Sequence, residues 1–197
     1  MAHCKTRLVL ASASPRRKEL LEKFGIPFEI IPARGEEEAP DGREPSAYVE
    51  ALARAKAAEV ALRLGDETAV IVAADTVVEA DGVLLGKPRN EEDAKTMLRR
   101  LSGRSHRVWS GLCVRRGERI CTAHECTAVH FRPLREAEIE AYVLTREPLD
   151  KAGAYGYQGL ASVFVEKIDG DYFNVVGLPL CRLGQMLAPF GVSLLER

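Results

Sequence analysis

The strongest constraint on the fold is an apolar run at residues 69–78 that two polar residues interrupt. Residues 69–74 are apolar without alternation, and the run resumes after Asp75 and Thr76. A strand that is apolar on both faces usually lies inside a sheet that is covered on both sides. The run therefore predicts a central strand, in which Asp75 and Thr76 conflict with their surroundings and become candidates for function.

The rest of the chain mixes helical and strand patterns. Apolar, β-branched runs bounded by turn residues predict strands, at residues 7–11, 28–31, 69–78, 83–85, 106–114, 120–131 and 163–168. Apolar residues at helical spacing predict helices, at residues 46–64, 91–101, 136–144 and 179–187, after a first helix from Ser14-Pro15 to near Gly25. We expect an α/β fold with a mixed central β-sheet flanked by helices. The 197 residues suit a single domain, residues 1–197, or two lobes around a cleft.

Composition argues against several classes of protein. The formal net charge is −1, so the chain lacks the basic excess that favours nucleic acid. No segment approaches the roughly 18 apolar residues that span a bilayer, and the N-terminus lacks the longer apolar region of a signal peptide. The five cysteines are an odd number without a CxxC pair, which argues against a disulfide framework or a zinc site. We expect a cytoplasmic protein that binds neither nucleic acid nor membrane.

Asp75 is the first residue whose type conflicts with its position. An unpaired buried carboxylate costs several kcal/mol, so it needs a cation, a metal ion or solvent from a cleft. The alternative is an aspartate at a strand end that hydrogen-bonds a neighbouring loop. The local pattern leaves both interpretations open.

Lys56 conflicts with the apolar stripe of the helix predicted at residues 46–64. It lies seven residues after Val49 and four before Val60, and helical geometry places all three on one face. Either the lysine extends its ammonium group into solvent along a buried stem, or the ammonium group points into a cleft that binds phosphate.

Arg16 and Arg17 lie in the first turn of the first predicted helix, where the helix dipole favours anions. They are either a solvated surface pair or part of a phosphate-binding group. In the second case, backbone N–H groups and the hydroxyls of Ser12 and Ser14 would contribute to the same group.

A glycine-rich segment at residues 150–159 is the fourth candidate. Its three glycines at spacing three permit close backbone approach and positive φ angles. Gln158 could present a donor and an acceptor to a uracil or thymine edge. A plain flexible loop is the alternative. Lesser candidates are Asn174, the acidic run Glu36-Glu37-Glu38 and Lys87. The acidic run also suits a solvated surface, and a lysine after a glycine also suits a turn.

Together these residues resemble the Maf-like nucleotide pyrophosphatases. The resemblance covers nearly the whole chain through five motifs, which are Leu10-Ala-Ser-Ala-Ser-Pro-Arg-Arg17, Ala74-Asp-Thr-Val-Val78, Gly86-Lys-Pro88, Asp150-Lys-Ala-Gly-Ala-Tyr-Gly156 and Gly170-Asp-Tyr-Phe-Asn-Val-Val-Gly-Leu-Pro179. It implies a mixed-sheet fold similar to the inosine-triphosphate pyrophosphatases, with the site in a cleft between lobes. It also implies hydrolysis of a nucleoside triphosphate between the α- and β-phosphates.

The resemblance implies a role for each site residue. It implies that Asp75 is the general base and that Arg17, Lys56 and Lys87 line the phosphate region. We expect these three cations to stabilise charge on the pyrophosphate leaving group. The segment at residues 150–159 resembles the branch that acts on dTTP and UTP. Substrate contacts are implied for Ser12, Ser14, Arg16, Thr76 and Gln158. Of these residues, Arg16, Thr76 and Gln158 are implied to select the base. A divalent cation, Mg²⁺ or Mn²⁺, is implied at Glu37 and Asp75.

The chain departs from the family pattern at two places. Gly35-Glu36-Glu37 stands where Ile-Asp-Glu is frequent, and Tyr157 stands where an isoleucine usually precedes the glutamine.

Two other functions use the same residues. A non-catalytic nucleotide-binding regulator of cell division would bind a triphosphate without releasing pyrophosphate. A phosphatase would instead remove the γ-phosphate and leave the diphosphate. A carboxylate in an apolar strand favours hydrolysis over simple binding, since anionic phosphate needs no carboxylate there. The expected partner is a small-molecule nucleoside triphosphate, and a homodimer is compatible with the sequence.

Overall fold

The structure, a computed structural model, describes residues 6–34 and 42–195. The strands are β1 (Leu8–Leu10), β2 (Glu29–Ile30), β3 (Val70–Ala80), β4 (Val83–Leu85), β5 (Ser105–Arg116), β6 (Arg119–Phe131) and β7 (Val165–Asp169). The α-helices are α1 (Pro15–Glu22), α2 (Pro45–Leu64), α3 (Glu91–Leu101), α4 (Glu136–Leu144), α5 (Tyr172–Val176) and α6 (Leu180–Leu187). Short 3₁₀ helices span Glu147–Asp150, Ala152–Ala154, Leu160–Phe164 and Ala188–Phe190.

Within the described residues, seven strands form one sheet in the order β2-β1-β3-β5-β6-β7, and β4 pairs with β3 outside this path. Strand β1 runs parallel to both β2 and β3. Parallel neighbours need crossover connections, and α1 and α2 supply them. By contrast, β4 is antiparallel to β3 and β7 is antiparallel to β6. The predicted α/β class with a mixed sheet flanked by helices is confirmed.

Strand β3 is the buried strand that the apolar run predicts. Every residue from Val70 to Asp75 is buried, and so are the three residues of β1 beside it. Ile71 and Ala73 pack in an apolar cluster with Val9 of β1 and Ala57 of α2. Because neither face of this part of β3 meets water, its polar members need partners within the protein.

The described residues divide into two compact units. The first unit comprises the chain up to Asp75, residues 110–125 and the chain from Gly177 onward, and the second comprises Thr76–Trp109 and Cys126–Val176. The first unit has its own apolar cluster around α2, and the second has one around α3 and α4. A single domain, residues 1–197, with a cleft between lobes stays a prediction.

Two segments differ from the sequence prediction, for tertiary reasons. The strand predicted at residues 163–168 starts only at Val165, because Leu160–Phe164 forms a 3₁₀ helix. Helix α5 was not predicted, and its Asn174 is fully buried. The Asn174 amide donates to the Val108 carbonyl oxygen at 3.0 Å and to Thr127 Oγ1 at 2.9 Å. Tertiary bonds of this kind stabilise a helix that is too short to form by itself.

None of the helices among the described residues combines the length and the hydropathy needed to cross a bilayer. The four described cysteines, Cys113, Cys121, Cys126 and Cys181, are free thiols. Burial raises the pKa of Cys113 to about 12, so this thiol stays protonated at neutral pH.

His106 of β5 is a polar residue that is buried in the second unit. Only 3% of it is exposed, and its Nε2 lies 2.8 Å from the Tyr155 hydroxyl oxygen. The ring also meets Phe131 edge to face, with 5.0 Å between centroids. Burial, together with a smaller effect of His130, lowers the pKa of His106 from 6.5 to about 4. The folded protein therefore keeps this imidazole neutral.

We expect the free energy of unfolding to fall as the pH drops from 7 to 5, in part because of His106. Between pH 6.5 and pH 4 the unfolded chain protonates this imidazole and the folded protein does not, so acid favours unfolding. From pH 7 to pH 5, this difference in protonation lowers the free energy of unfolding by about 2 kcal/mol. Urea unfolding of wild type and His106→Asn at both pH values measures it. The variant should be less stable at pH 7 and lose less on acidification, and equal losses in both proteins would contradict the assignment.

Candidate active site

The site is built around Asp75, which lies within β3 and is only 4% exposed. Its Oδ1 accepts a hydrogen bond from the Lys56 ammonium group of α2. The strand continues to Ala80, so the interpretation of Asp75 as a strand-end residue is wrong. The Lys56 side chain is 19% exposed, and its ammonium group lies against Asp75 instead of extending into solvent. The two residues that conflict most with their local patterns are therefore partners.

Helix α2 brings Lys56 to β3 through its apolar stripe. Val49, Ala53 and Val60 are fully buried on that face. A backbone contact supports this packing, because a Cβ atom on Gly111 of β5 would lie 2.2 Å from the Val49 carbonyl oxygen. Only a glycine permits α2 to approach β5 this closely. The depth of α2 against the sheet in turn decides where the Lys56 ammonium group lies.

Arg17 of α1 joins three parts of the first unit. Its Nη1 donates to the Ala74 carbonyl oxygen at 2.8 Å and to Ser12 Oγ at 3.2 Å. Its Nε donates to the Gly177 carbonyl oxygen at 2.8 Å. Bonds from a charged donor are stronger than neutral ones, so this guanidinium group fixes the backbone immediately before Asp75.

Ser12, Ser14 and Arg16 lie beside Arg17 at the start of α1. Ser12 is buried, and its Oγ accepts the backbone N–H of Ser14 at 3.2 Å as well as the bond from Arg17. Ser14 occupies the N-cap position but makes no capping bond with its side chain. Arg16 is half-buried in the first helical turn. The hydroxyl with a defined local bonding role is thus that of Ser12.

Three predicted residues belong to the second unit. Thr76 directly follows Asp75 in β3 and is half-buried, whereas Lys87 and Gln158 are exposed. Lys87 follows β4, and the carbonyl oxygen of its neighbour Gly86 accepts a hydrogen bond from the Gly153 N–H at 3.0 Å. The structure therefore brings together Ser12, Arg17, Lys56 and Asp75 within one unit and places Thr76, Lys87 and Gln158 in the other.

The predicted metal ligands are Asp75 and Glu37. Glu37 lies outside the described residues, as do its neighbours Glu36 and Glu38. Across residues 6–34 and 42–195, no group of three or more His, Cys, Asp or Glu side chains has an arrangement that could hold a metal ion. Asp75 is the described member of the predicted pair.

Two glycines matter to the site although the sequence analysis gave them no role. Gly177 accepts the bond from Arg17 Nε and lies inside the last family motif, which was the available signal. Gly111 had no local signal, since the need for it arises from the backbone of α2, which is distant in sequence.

Lys56→Met should lower the free energy of unfolding by about 3 kcal/mol, because it leaves the Asp75 carboxylate buried without its cation. Adding Asp75→Asn to this variant removes the unpaired charge and should recover at least half of the loss. Urea unfolding at pH 7 measures both. Lys95→Met is a matched control, since Lys95 pairs with the 74% exposed Glu92 and should cost at most about 1 kcal/mol. Additive losses in the double variant would contradict the ion-pair account.

Proteins of similar sequence support the family resemblance that the five sequence motifs indicate. A dTTP/UTP pyrophosphatase of Moorella thermoacetica is 52% identical over 194 residues, which cover 98% of this chain and 99% of the relative. That of Symbiobacterium thermophilum is 50% identical over 185 residues, 94% of each chain. Among solved structures, the Staphylococcus aureus Ham1 protein matches 64% of this chain and 72% of its own, with 14% identity and a TM-score of 0.47. The family model for the Maf-like protein matches residues 7–190, and this chain belongs to the Maf-like family.

Proposed function

We propose that this chain is a nucleotide pyrophosphatase that hydrolyses dTTP and UTP to the monophosphate and pyrophosphate with a divalent metal ion. The observation that supports it best is the buried Asp75 carboxylate paired with Lys56 in the first unit. Relatives that are about half identical over nearly the full length are named dTTP/UTP pyrophosphatases. A carboxylate at this position suits a reaction that removes a proton from water.

Asp75 acts as the general base in the proposed reaction. A carboxylate offers about four lone-pair sites on its two oxygens, so the bond from Lys56 leaves capacity to orient a water molecule. The water oxygen forms a bond to the α-phosphorus as its proton passes to Asp75. The bond from the α-phosphorus to the bridging oxygen breaks, and its electron pair leaves with pyrophosphate. General base catalysis of this kind typically contributes a factor of 10² to 10⁴.

Arg17, Lys56 and Lys87 are the proposed cations for the phosphates. Lys56 and Arg17 lie in the first unit with Asp75, and Arg17 also fixes the Ala74 carbonyl group next to the base. A cation that is already in place when charge develops on the leaving group lowers the barrier most. Ser12 and Ser14 complete the proposed phosphate contacts.

A divalent ion is compatible with the described residues. Mg²⁺ is usually bound by one or two carboxylates together with substrate phosphates, and Asp75 supplies one such carboxylate. Glu37 is the proposed second ligand. When bound, Mg²⁺ or Mn²⁺ would neutralise charge on the phosphates and make the attacking water more acidic.

Base selection is assigned to Arg16, Thr76 and Gln158. The amide of Gln158 has both a donor and an acceptor, which match the ring N–H and a carbonyl oxygen of uracil or thymine. The alternative of a non-catalytic regulator has no support in the site, because phosphate binding alone gives no reason to bury a carboxylate.

Asp75→Asn should keep the fold and lower pyrophosphate release from dTTP by at least about 10²-fold, because the amide cannot accept the proton. The assay measures pyrophosphate, monophosphate, diphosphate and phosphate from dTTP and UTP with Mg²⁺ and with Mn²⁺. Monophosphate with pyrophosphate is the expected product pair.

Asp81→Asn is the matched control. Asp81 lies in the turn between β3 and β4, where its exposed carboxylate pairs with Arg104, so this variant should have wild-type activity. Wild-type turnover by Asp75→Asn would refute the general-base role. Diphosphate with phosphate as products would refute cleavage between the α- and β-phosphates.

A further inference from the structure

Gln158 lies in a tight turn whose ends are tied down. The Gly159 N–H donates to the Gly156 carbonyl oxygen at 3.0 Å, which makes Tyr157 and Gln158 the two central residues of a four-residue turn. Tyr157 packs against the apolar core of the second unit and meets Tyr172 edge to face, with 5.4 Å between centroids. Gln158 is exposed. The position of its amide therefore depends on what fixes the turn.

The carboxylate of Glu147 fixes both ends of this turn. Its Oε2 accepts the backbone N–H of Leu160 at 3.1 Å. Its Oε1 accepts the hydroxyl of Tyr142 at 2.9 Å, and that hydroxyl accepts the backbone N–H of Gly156 at 3.2 Å. One carboxylate thus holds both ends of the turn. It bonds Leu160, which follows the turn, directly, and it reaches Gly156, which opens the turn, through the Tyr142 hydroxyl.

The Tyr142 hydroxyl is suited to this bridging position. Tyr142 is only 4% exposed. Mainly because of this burial, the pKa of Tyr142 lies far above its ordinary value. The phenol therefore stays protonated and donates to Glu147 throughout the neutral range.

Two glycines of the segment make room for these side chains. A Cβ atom on Gly159 would lie 2.2 Å from Glu147 Oε1, and one on Gly156 would lie 2.5 Å from Lys151 Cε. Neither glycine has a positive φ, whereas Gly153 has a φ of 67°. Of the two uses of glycine that the spacing permits, a positive φ therefore applies to Gly153 and not to Gly156 or Gly159. Close approach of side chains, the other use of glycine, explains them.

Lys151 adds two hydrogen bonds at the start of the segment. Its ammonium group donates to the Glu147 carbonyl oxygen at 2.5 Å and to Asp150 Oδ1 at 2.6 Å. Only 12% of its side chain is exposed. The segment is therefore a bonded structure, and the interpretation of a plain flexible loop is wrong.

We infer that Glu147 is a positioning residue for base selection, which holds the turn of residues 156–159 so that Gln158 presents its amide in one orientation. The inference rests on the proposed function, because it assumes that Gln158 contacts the base. Glu147 acts through the turn and touches no substrate.

The test compares kcat/KM for dTTP with kcat/KM for dCTP, which presents a different base edge. Glu147→Ala should lower the ratio of these two values about tenfold. The KM for dTTP should rise more than kcat falls, because the Asp75 site lies in the other unit. Gln158→Ala is the reference and should lower the ratio at least as much. Hydrogen exchange of the Gly156 and Leu160 amides should become faster in Glu147→Ala.

Two further variants separate the bonds of Glu147 from its charge. Glu147→Gln keeps a carbonyl acceptor for the Leu160 N–H, and its NH₂ group can donate to the Tyr142 hydroxyl oxygen, which has two acceptor sites. Both ties are then kept without the charge, so this variant should retain the wild-type ratio within about threefold. Gly159→Ala places a methyl group where the carboxylate lies and should reproduce Glu147→Ala. Gly184→Ala is its control, since a Cβ atom there would lie 3.7 Å from Leu194 Cδ1, an ordinary contact. Glu136→Ala, which removes an exposed carboxylate paired with Arg99, controls for charge and should leave the ratio unchanged.

The outcomes distinguish failure of the inference from failure of the proposed function. A lower ratio in Glu147→Ala and Gly159→Ala, with near-normal values in Glu147→Gln, supports the inference. An unchanged ratio in Glu147→Ala, or an equal fall of kcat/KM for both substrates, overturns the inference while the proposed function stands. Failure of the wild type to release pyrophosphate from dTTP overturns the proposed function and the inference with it.

Discussion

The ion pair between Lys56 and Asp75 is the interaction on which the rest of the site depends. A carboxylate that is 4% exposed inside an apolar strand is tolerated only with a compensating charge. That charge comes from a lysine in the apolar face of α2, which is equally out of place by itself. Each charge compensates the other. Stability alone does not account for the pair, because apolar residues of similar volume would pack at these two positions at a lower cost in free energy.

The backbone around this pair is arranged to keep the two charges together. Gly111 lets α2 approach β5 until a Cβ atom would overlap the Val49 carbonyl group. Arg17 ties the Ala74 carbonyl group to α1 and to Gly177. Both contacts restrict the freedom of the residues that bear the charges, and restricted groups lose less entropy when a substrate binds. Pre-organisation of the charged groups is thus a property of the helix–strand packing.

In the second unit, side chains determine the shape of the glycine-rich segment. The Glu147 carboxylate and the Lys151 stem occupy the space that Cβ atoms of Gly159 and Gly156 would need. The same carboxylate bonds the N–H of Leu160 and, through Tyr142, that of Gly156. Glu147, which precedes the family motif at residues 150–156, therefore orders a segment whose composition is typical of a flexible loop.

Much of the fold could be predicted from local patterns. The apolar run at residues 69–78, the stripe of α2 and its stop at Gly65 follow from periodicity and capping, which neighbouring residues decide. Helix α5 and the 3₁₀ helix before β7 could not be predicted in this way. Asn174 reaches Val108 and Thr127 across more than forty positions, and no window of local sequence contains such a contact.

By itself the sequence determined which residues are chemically out of place, because residue type and the surrounding apolar pattern are enough to show where a charge would be costly to bury. It also determined the family, through motifs in a fixed order. The tertiary structure decided which of those residues are partners, since the bond between Lys56 and Asp75 and the contacts of Gly111 join segments far apart in the chain. It likewise decided the role of Glu147, because that role depends on the hydrogen bonds of its two carboxylate oxygens to Tyr142 and Leu160. The position of Glu147 along the sequence does not reveal these bonds.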